Sequence, residues 1–438
     1  MRYQTRHCPI IGLVTLYAVL AGCSSEAPFD ELLVRAENAV ARNDVNAAVV
    51  DIKTALQQKP ADPDARRLLG EIYLFQQQAR AAADELERSL RSEFDTATAR
   101  NFVKALYLAG DHQRVIDLEN ELFFQTMRSD GEYLAVKARA LGAQGDLEEA
   151  TAALDQARAA APNNAYVRLT AAEYKARAEL DVRGATRALR QLLATHRDMV
   201  DAWSVLGSLL LAQGQYESAA AAFTQAVELN PYRLRDRLNL ASVQVQIGDW
   251  DAARSQIGVL AEASPDNPVV KYLQARSSLY GENTAQALDQ LNAALAVAPN
   301  HTPSLFLAAV LNADNDAYAT AITQLGTLLK LQPRQSRARL LLARIYLQEG
   351  NADQAAKAAR TVIEDDGRNL EALKLLGFAL ASQSAHSDAA DAFARAVSLD
   401  PGSVETRLRL AGALIQADRF DEAGAVLDEA QATWPGDL

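Results

Sequence analysis

Proline recurs on a fixed beat in this chain. Pro231, Pro265, Pro299 and Pro333 stand 34 residues apart, and Pro401 and Pro435 continue the interval with Gly367 filling the one missing beat. With one extra residue, the same grid runs back to Pro162 and then to Pro60. A period of this length accommodates two helices and two turns, so each period reads as one helix–turn–helix unit. Such a unit cannot bury its apolar face alone and must stack on its neighbours.

With proline at the thirty-second position of each unit, small residues fall at the eighth and twentieth, where two helices cross. The eighth holds Ala36, Gly70, Ala138, Gly207, Ala241, Ala275, Ala309, Ala343 and Gly377; the twentieth holds Ala48, Ala82, Ala150, Ala219, Ala253, Ala287 and Ala321. The most regular unit runs from Asp201 through Trp203, Leu206, Gly207, Gly214, Tyr216, Ala219, Phe223 and Ala226 to Pro231. It resembles the tetratricopeptide repeat (TPR) pattern at every slot but one, where Leu210 replaces a tyrosine. The resemblance implies an all-α, right-handed superhelical solenoid of about twelve repeats from about Phe29 to Pro435, with a long concave binding face and no deep catalytic cleft.

Two units depart from the pattern. The third, residues 97–130, puts Lys104 where a small residue belongs, although Gly110-Asp111 still marks its turn. The fifth, residues 165–199, carries the extra residue, expected near Arg183-Gly184. Either the two repeats have simply drifted, or they locally change the pitch and shape a site. Elsewhere Ala, Leu, Gln, Arg and Glu, all good helix formers, dominate. Prolines are almost confined to the turns between units, where they stop one helix and start the next.

The N-terminus has the form of an export signal. Arg2 and Arg6 precede the apolar stretch Pro9 to Val19, which is too short to span a bilayer comfortably. It ends in Leu20-Ala21-Gly22-Cys23, which resembles a bacterial lipobox. The resemblance implies cleavage of residues 1–22, lipidation of Cys23, a tether over residues 23–28 and a continuous TPR solenoid over residues 29–438. Two or more acyl chains anchor stably where one does not. Ser24, in place of an aspartate, points to the outer membrane with the repeats facing the periplasm. Cys8 leaves with the signal, so no disulfide, zinc cluster or thiol chemistry is expected. The net charge of −12 argues against nucleic acid as a partner.

Catalytic motifs are missing from the sequence. His112, His196, His301 and His386 are scattered over different repeats, with no pair spaced to share a helix face. There is no HExxH, GxSxG, phosphate loop or CxxC motif. The acidic clusters Glu148-Glu149, Glu364-Asp365-Asp366 and Asp421-Glu422 read as helix-terminal or solvating charges. No catalytic residue, metal ligand or cofactor is therefore expected.

The sequence does offer a groove. In TPR arrays the first helix of each unit lines the concave surface through about its second, fifth, ninth, twelfth and thirteenth positions. In repeats seven to eleven these slots hold Arg235, Tyr272, Arg276, Tyr280, Phe306, Arg337, Arg344, Lys374 and Phe378. Cations and aromatics thus gather on the inner face of an acidic protein, a lining suited to acidic or extended partners. In the competing reading, Tyr280 and Phe378 pack between helices and the arginines pair with acids of adjacent repeats. The first repeats carry Glu37, Glu71 and Arg139 at such slots, so the groove is not uniform.

The mature start narrows the expectation. Ala47 to Pro60 (AAVVDIKTALQQKP), Ala65 to Leu74 (ARRLLGEIYL) and Ala105 to Asp111 (ALYLAGD) follow directly on the lipobox and one short helix. This order resembles the TPR-repeat lipoproteins of PEP-CTERM/exosortase systems. The resemblance implies a non-catalytic, lipid-anchored envelope scaffold whose partners are envelope proteins, among them polysaccharide export machinery. Other readings are an assembly factor for a pilus or outer-membrane complex, an adaptor for a peptidoglycan hydrolase, and an enzyme.

Overall fold

The computed structural model describes residues 27–433. The signal sequence, the Leu20–Cys23 stretch, most of the tether and the last proline, Pro435, lie outside the described residues. The described chain is helical and, among the described residues, holds no strand. It divides into two compact units, one ending at Ala188 and the other beginning at Leu189.

In the first, the helix pairs are α1 (Phe29–Ala41) with α2 (Val45–Gln58), α3 (Pro63–Phe75) with α4 (Ala79–Ser92), and α5 (Thr96–Leu108) with a short α6 (His112–Asp117). Then come α7 (Gly131–Gln144) with α8 (Leu147–Ala160), and α9 (Ala165–Arg177) with α10 (Val182–Thr195), within which the division falls. The second continues with α11 (Val200–Ala212) and α12 (Tyr216–Leu229), α13 (Leu234–Ile247) and α14 (Trp250–Ala263), and α15 (Pro268–Tyr280) and α16 (Thr284–Val297). It ends with α17 (Thr302–Asp314) and α18 (Tyr318–Leu331), α19 (Ser336–Gln348) and α20 (Ala352–Asp365), α21 (Leu370–Ser382) and α22 (His386–Leu399), and α23 (Val404–Gln416) and α24 (Phe420–Thr433).

Local chemistry sets these boundaries. Many first helices open on a capping side chain just past the turn between repeats: Asp62 accepts from Ala65 N at 2.9 Å, Asn369 from Ala372 N at 3.0 Å and Ser403 from Thr406 N at 3.2 Å. Each pair is joined by a turn with one left-handed residue, a glycine at Gly110, Gly145, Gly214, Gly248 and Gly350 and a non-glycine elsewhere. The next residue's N–H reaches back five residues, as Gln215 N does to Leu210 O at 2.9 Å, and so satisfies a carbonyl at the end of the first helix.

The pairs close around small residues. Ala241, Ala275, Ala309 and Ala343 are fully buried at the crossings. Where the eighth position is glycine, the second helix presses a large side chain onto it: Leu86 on Gly70, Phe223 on Gly207 and Phe393 on Gly377. The fold is therefore a tandem array of TPR-like helix pairs, and its core is a run of local clusters such as Ala241, Val245, Ala253, Ile257 and Val270.

Both irregular repeats have a physical cause. In the third, Lys104 and Ile116 occupy the two positions that are small elsewhere. The second helix stops at Asp117 and breaks into 3-10 stretches, Leu118–Asn120 and Leu122–Met127. Leu118, Phe124 and Met127 fill the space and are buried, with Phe124 edge-on to Tyr133 at 5.2 Å. In the fifth, the extra residue lies not at Arg183-Gly184 but ahead of them, in the turn Ala178–Asp181. There the closing bond, Asp181 N to Lys175 O at 3.0 Å, reaches back six residues where the other turns reach five. Turns absorb an insertion more cheaply than a helix, whose register it would rotate.

Candidate functional site

The second unit brings part of the expected inner face together. Tyr280, at the end of α15, stacks on Trp250, at the start of α14, with centroids 4.7 Å apart and planes 15° from parallel. The Arg276 guanidinium lies 5.8 Å from the indole, and Arg254 of α14 lies 5.9 Å from the Tyr280 ring. The result is a four-member ladder of cation, indole, phenol and cation. Arg254 also pairs with Asp251, whereas Arg276 has no acid partner among the described residues. Tyr280 stays 55% exposed, so the ladder presents an aromatic surface to solvent.

The other expected positions fall into two groups. Arg235 and Arg337 are exposed and Lys374 is half-buried, all without a hydrogen bond or ion pair among the described residues. Arg344 pairs with Glu371 of the next repeat at 2.5 Å. Tyr272, Phe306 and Phe378 are half-buried against core clusters. Phe378 meets Phe393 edge-on at 5.4 Å and carries Arg409 at 5.2 Å, while Tyr272 meets His301 at 5.9 Å. All three rings pack against the core while keeping part of their surface exposed. Burial pushes the His301 imidazole below its ordinary pKa, and its Nδ1 lies 2.8 Å from Ser304 Oγ.

The start of this unit also contains a buried ion cluster. Asp236, only 4% exposed, accepts from Arg233 and from the Ser204 hydroxyl at 2.5 Å each, and Arg233 reaches Asp201 at 2.5 Å as well. Burial disfavours the Arg233 charge, but the two carboxylates outweigh it and hold the guanidinium protonated. Being internally satisfied, this knot locks α11 to α13 and leaves nothing for a ligand.

Sequence reasoning missed Trp250 and Arg254, which sit on the second helix of their repeat. The legible signal was the aromatic residue that opens several second helices, Tyr216, Trp250, Tyr318 and Phe420. It also missed a cavity of about 250 Å³ in the first unit, among Tyr107, Arg139, Thr170, Glu173, Tyr174 and Arg177. Gly142 lines the same cavity and contributes no side chain to fill it. Arg139 is held by Glu173 at 2.9 Å and lies over Tyr107 at 4.7 Å. The rest of this face is charge-paired: Arg67 with Glu71, Arg100 with Asp130, and Lys104, which also lies over the Tyr166 ring, with Glu132.

Among the described residues no group of three or more His, Cys, Asp or Glu is placed to hold a metal ion. No described helix is long and apolar enough to cross a membrane.

The chain belongs to the tetratricopeptide repeat superfamily. One tetratricopeptide repeat profile matches residues 39–106, 210–277 and 380–437, and a second matches 174–233, 272–336, 314–367 and 340–404. Tetratricopeptide repeats imply a protein-interaction scaffold. The chain is similar to cellulose synthase operon protein C of Pseudomonas fluorescens, 28% identical over 271 residues, covering 55% of this chain and 20% of that protein. It is 25% identical over 437 residues to the protein of the same name from Xanthomonas axonopodis pv. citri, covering 93% of this chain and 26% of that one. The chain thus spans about a quarter or less of the length of these relatives. Among solved structures, a tetratricopeptide repeat protein from Parabacteroides merdae aligns with a TM-score of 0.42 and 18% identity, covering 57% of this chain and 99% of that one.

Proposed function

We propose that this protein is a non-catalytic, lipid-anchored scaffold of the bacterial cell envelope, serving exopolysaccharide export and engaging protein partners along the inner face of its second unit. The ladder of Arg276, Trp250, Tyr280 and Arg254 carries the reading. Rigid aromatic surface flanked by guanidiniums is the composition of interface anchors, and it lies exposed in a chain of net charge −12. Two sequence features support the setting: the Leu20-Ala21-Gly22-Cys23 ending, and the N-terminal resemblance to PEP-CTERM-associated TPR lipoproteins. The relatives are named for a cellulose synthase operon, which agrees with a role beside a polysaccharide machine. The lipid at Cys23 would fix location in the outer membrane, and the repeats would supply recognition.

A photoreactive amino acid in place of Tyr280, compared with one in place of Lys357 on α20, tests this in growing cells. Position 280 should trap an envelope protein that position 357 does not. Equal trapping at both positions, or none at 280, would exclude the inner face as the partner surface.

A further inference from the structure

A second concavity in the same unit avoids the inner-face positions altogether. The second half of α10 and the segment after it bring Arg190, Leu193 and Arg197 against Trp203 and Leu206 of α11 and Gln225 of α12, around a cavity of about 400 Å³. Leu193 and Leu206 are each 4% exposed and give it an apolar floor. The Trp203 indole N–H donates to the Arg197 carbonyl at 2.8 Å, so the ring braces the backbone that carries Arg197. Arg190 and Arg197 are exposed, and neither guanidinium has a hydrogen bond or ion pair among the described residues. The nearby acids do not neutralise them: Asp198 is unpaired, and Glu228 accepts from the Gln225 amide at 2.9 Å. That bond uses the amide nitrogen of Gln225 and leaves its oxygen as an acceptor.

Two cations without a carboxylate partner, set beside an apolar floor, leave this cleft with positive charge to offer an acidic ligand. We propose that this cleft binds an acidic peptide segment carrying a large apolar side chain between two carboxylates. The apolar residue would lie on Leu193, Leu206 and the Trp203 ring, and each arginine would take one carboxylate. The volume falls in the range that holds a few side chains. Arg190 lies on α10 and Arg197 two residues past its end at Thr195, so the two guanidiniums stand on different backbone segments and can each take one carboxylate of a short extended peptide. An anionic headgroup such as phosphatidylglycerol concentrates its charge at one phosphate and offers no N–H to the Gln225 oxygen. This site is separate from the inner-face ladder, and neither reading depends on the other.

The test uses the mature chain and fluorescein-labelled Gly-Asp-Leu-Phe-Asp-Gly, with Gly-Asn-Leu-Phe-Asn-Gly as its uncharged twin, followed by anisotropy. The acidic peptide should bind at least about tenfold more tightly than the twin, since charge-assisted hydrogen bonds to two carboxylates are lost in the latter. Arg190→Gln and Arg197→Gln should each weaken it about tenfold, and the pair Arg276→Glu and Arg344→Glu should leave it unchanged. Absent binding, equal affinity for the twin, or indifference to both Gln substitutions would overturn the proposal. Loss of binding in the inner-face pair would place the peptide in the groove instead. Arginine-dependent binding to phosphatidylglycerol vesicles in the absence of peptide binding would make the cleft a lipid site.

Discussion

A methyl group on Gly207 would stand 2.8 Å from Cδ1 of Phe223, too close for two carbon atoms, so the sixth helix pair closes only over bare backbone. Gly207→Ala should destabilise the protein by about 1–3 kcal/mol and Gly207→Leu by more, through overpacking. Hydrogen exchange should rise in the sixth repeat and its neighbours and stay near wild type in distant ones, because coupling in repeat arrays is between nearest neighbours. Uniform change over all repeats would contradict this. Gly258 and Gly326, also inside helices, have nothing within 4 Å of an added methyl group. Ala at those positions should raise stability by about 0.5–1 kcal/mol, from helix propensity and a less free unfolded chain.

Leu180 has a left-handed backbone, φ 56°, and a side chain 81% exposed, in the longest of the turns that join the two helices of a pair. The left-handed conformation costs a branched residue roughly 1–2 kcal/mol, and an exposed side chain returns little for it. Leu180→Gly should stabilise the protein by about 0.5–1 kcal/mol, net of the added freedom of an unfolded glycine. A denaturant midpoint that falls, at unchanged slope, would mean that the leucine makes contacts that outweigh the strain.

The repeat count and the crossing positions were readable because both are set by period: a small residue every 34 positions is a steric requirement that the sequence displays directly. The broken helix of the third repeat was half readable. Lys104 announced a disturbed crossing, but the replacement packing of Phe124 and Met127 depends on space that only the fold defines. The inner face was read by slot number, which found Arg276 and Tyr280 but missed Trp250, which belongs to the neighbouring repeat's second helix. Slots also do not tell a solvent-facing ring from one turned inward, which is why Tyr272, Phe306 and Phe378 appeared beside Tyr280 in one set. The cleft at Arg190 and Trp203 was invisible for the same reason, being assembled from three helices by tertiary packing.

Asp130 ties pH to the first unit. It caps α7, accepting from the Glu132 and Tyr133 amides at 3.0 Å each, and pairs with Arg100 at 2.6 Å. Burial alone would raise its pKa, but the Arg100 hydrogen bond and the two amides outweigh burial and hold the carboxyl below the ordinary aspartate value. A group with a depressed folded pKa contributes stability that is complete above the unfolded value and lost as pH falls through the folded one. Asp130→Asn should therefore destabilise the first unit at neutral pH and progressively less below about pH 4. Asp130→Ala should lose about 1 kcal/mol more than Asp130→Asn at every pH, because the cap is lost too. A wild-type minus Asn difference that does not change between pH 7 and pH 3 would show that the charge plays no part.

Arg344 and Glu371 separate recognition from folding. The two lie on successive first helices and pair at 2.5 Å, with side chains 58% and 48% exposed. So exposed a pair contributes at most about 1 kcal/mol, and Arg344→Glu alone should lower stability by no more than that while placing two acids side by side. Exchanging the pair, Arg344→Glu with Glu371→Arg, restores the attraction and keeps the net charge, but moves the cation from one inner-face position to another. Melting should return to within about 0.5 kcal/mol of wild type. If an acidic partner reads the cation at position 344, capture should stay lost in the exchanged protein. If capture recovers together with melting, the pair matters to folding alone and the partner surface lies elsewhere on the array.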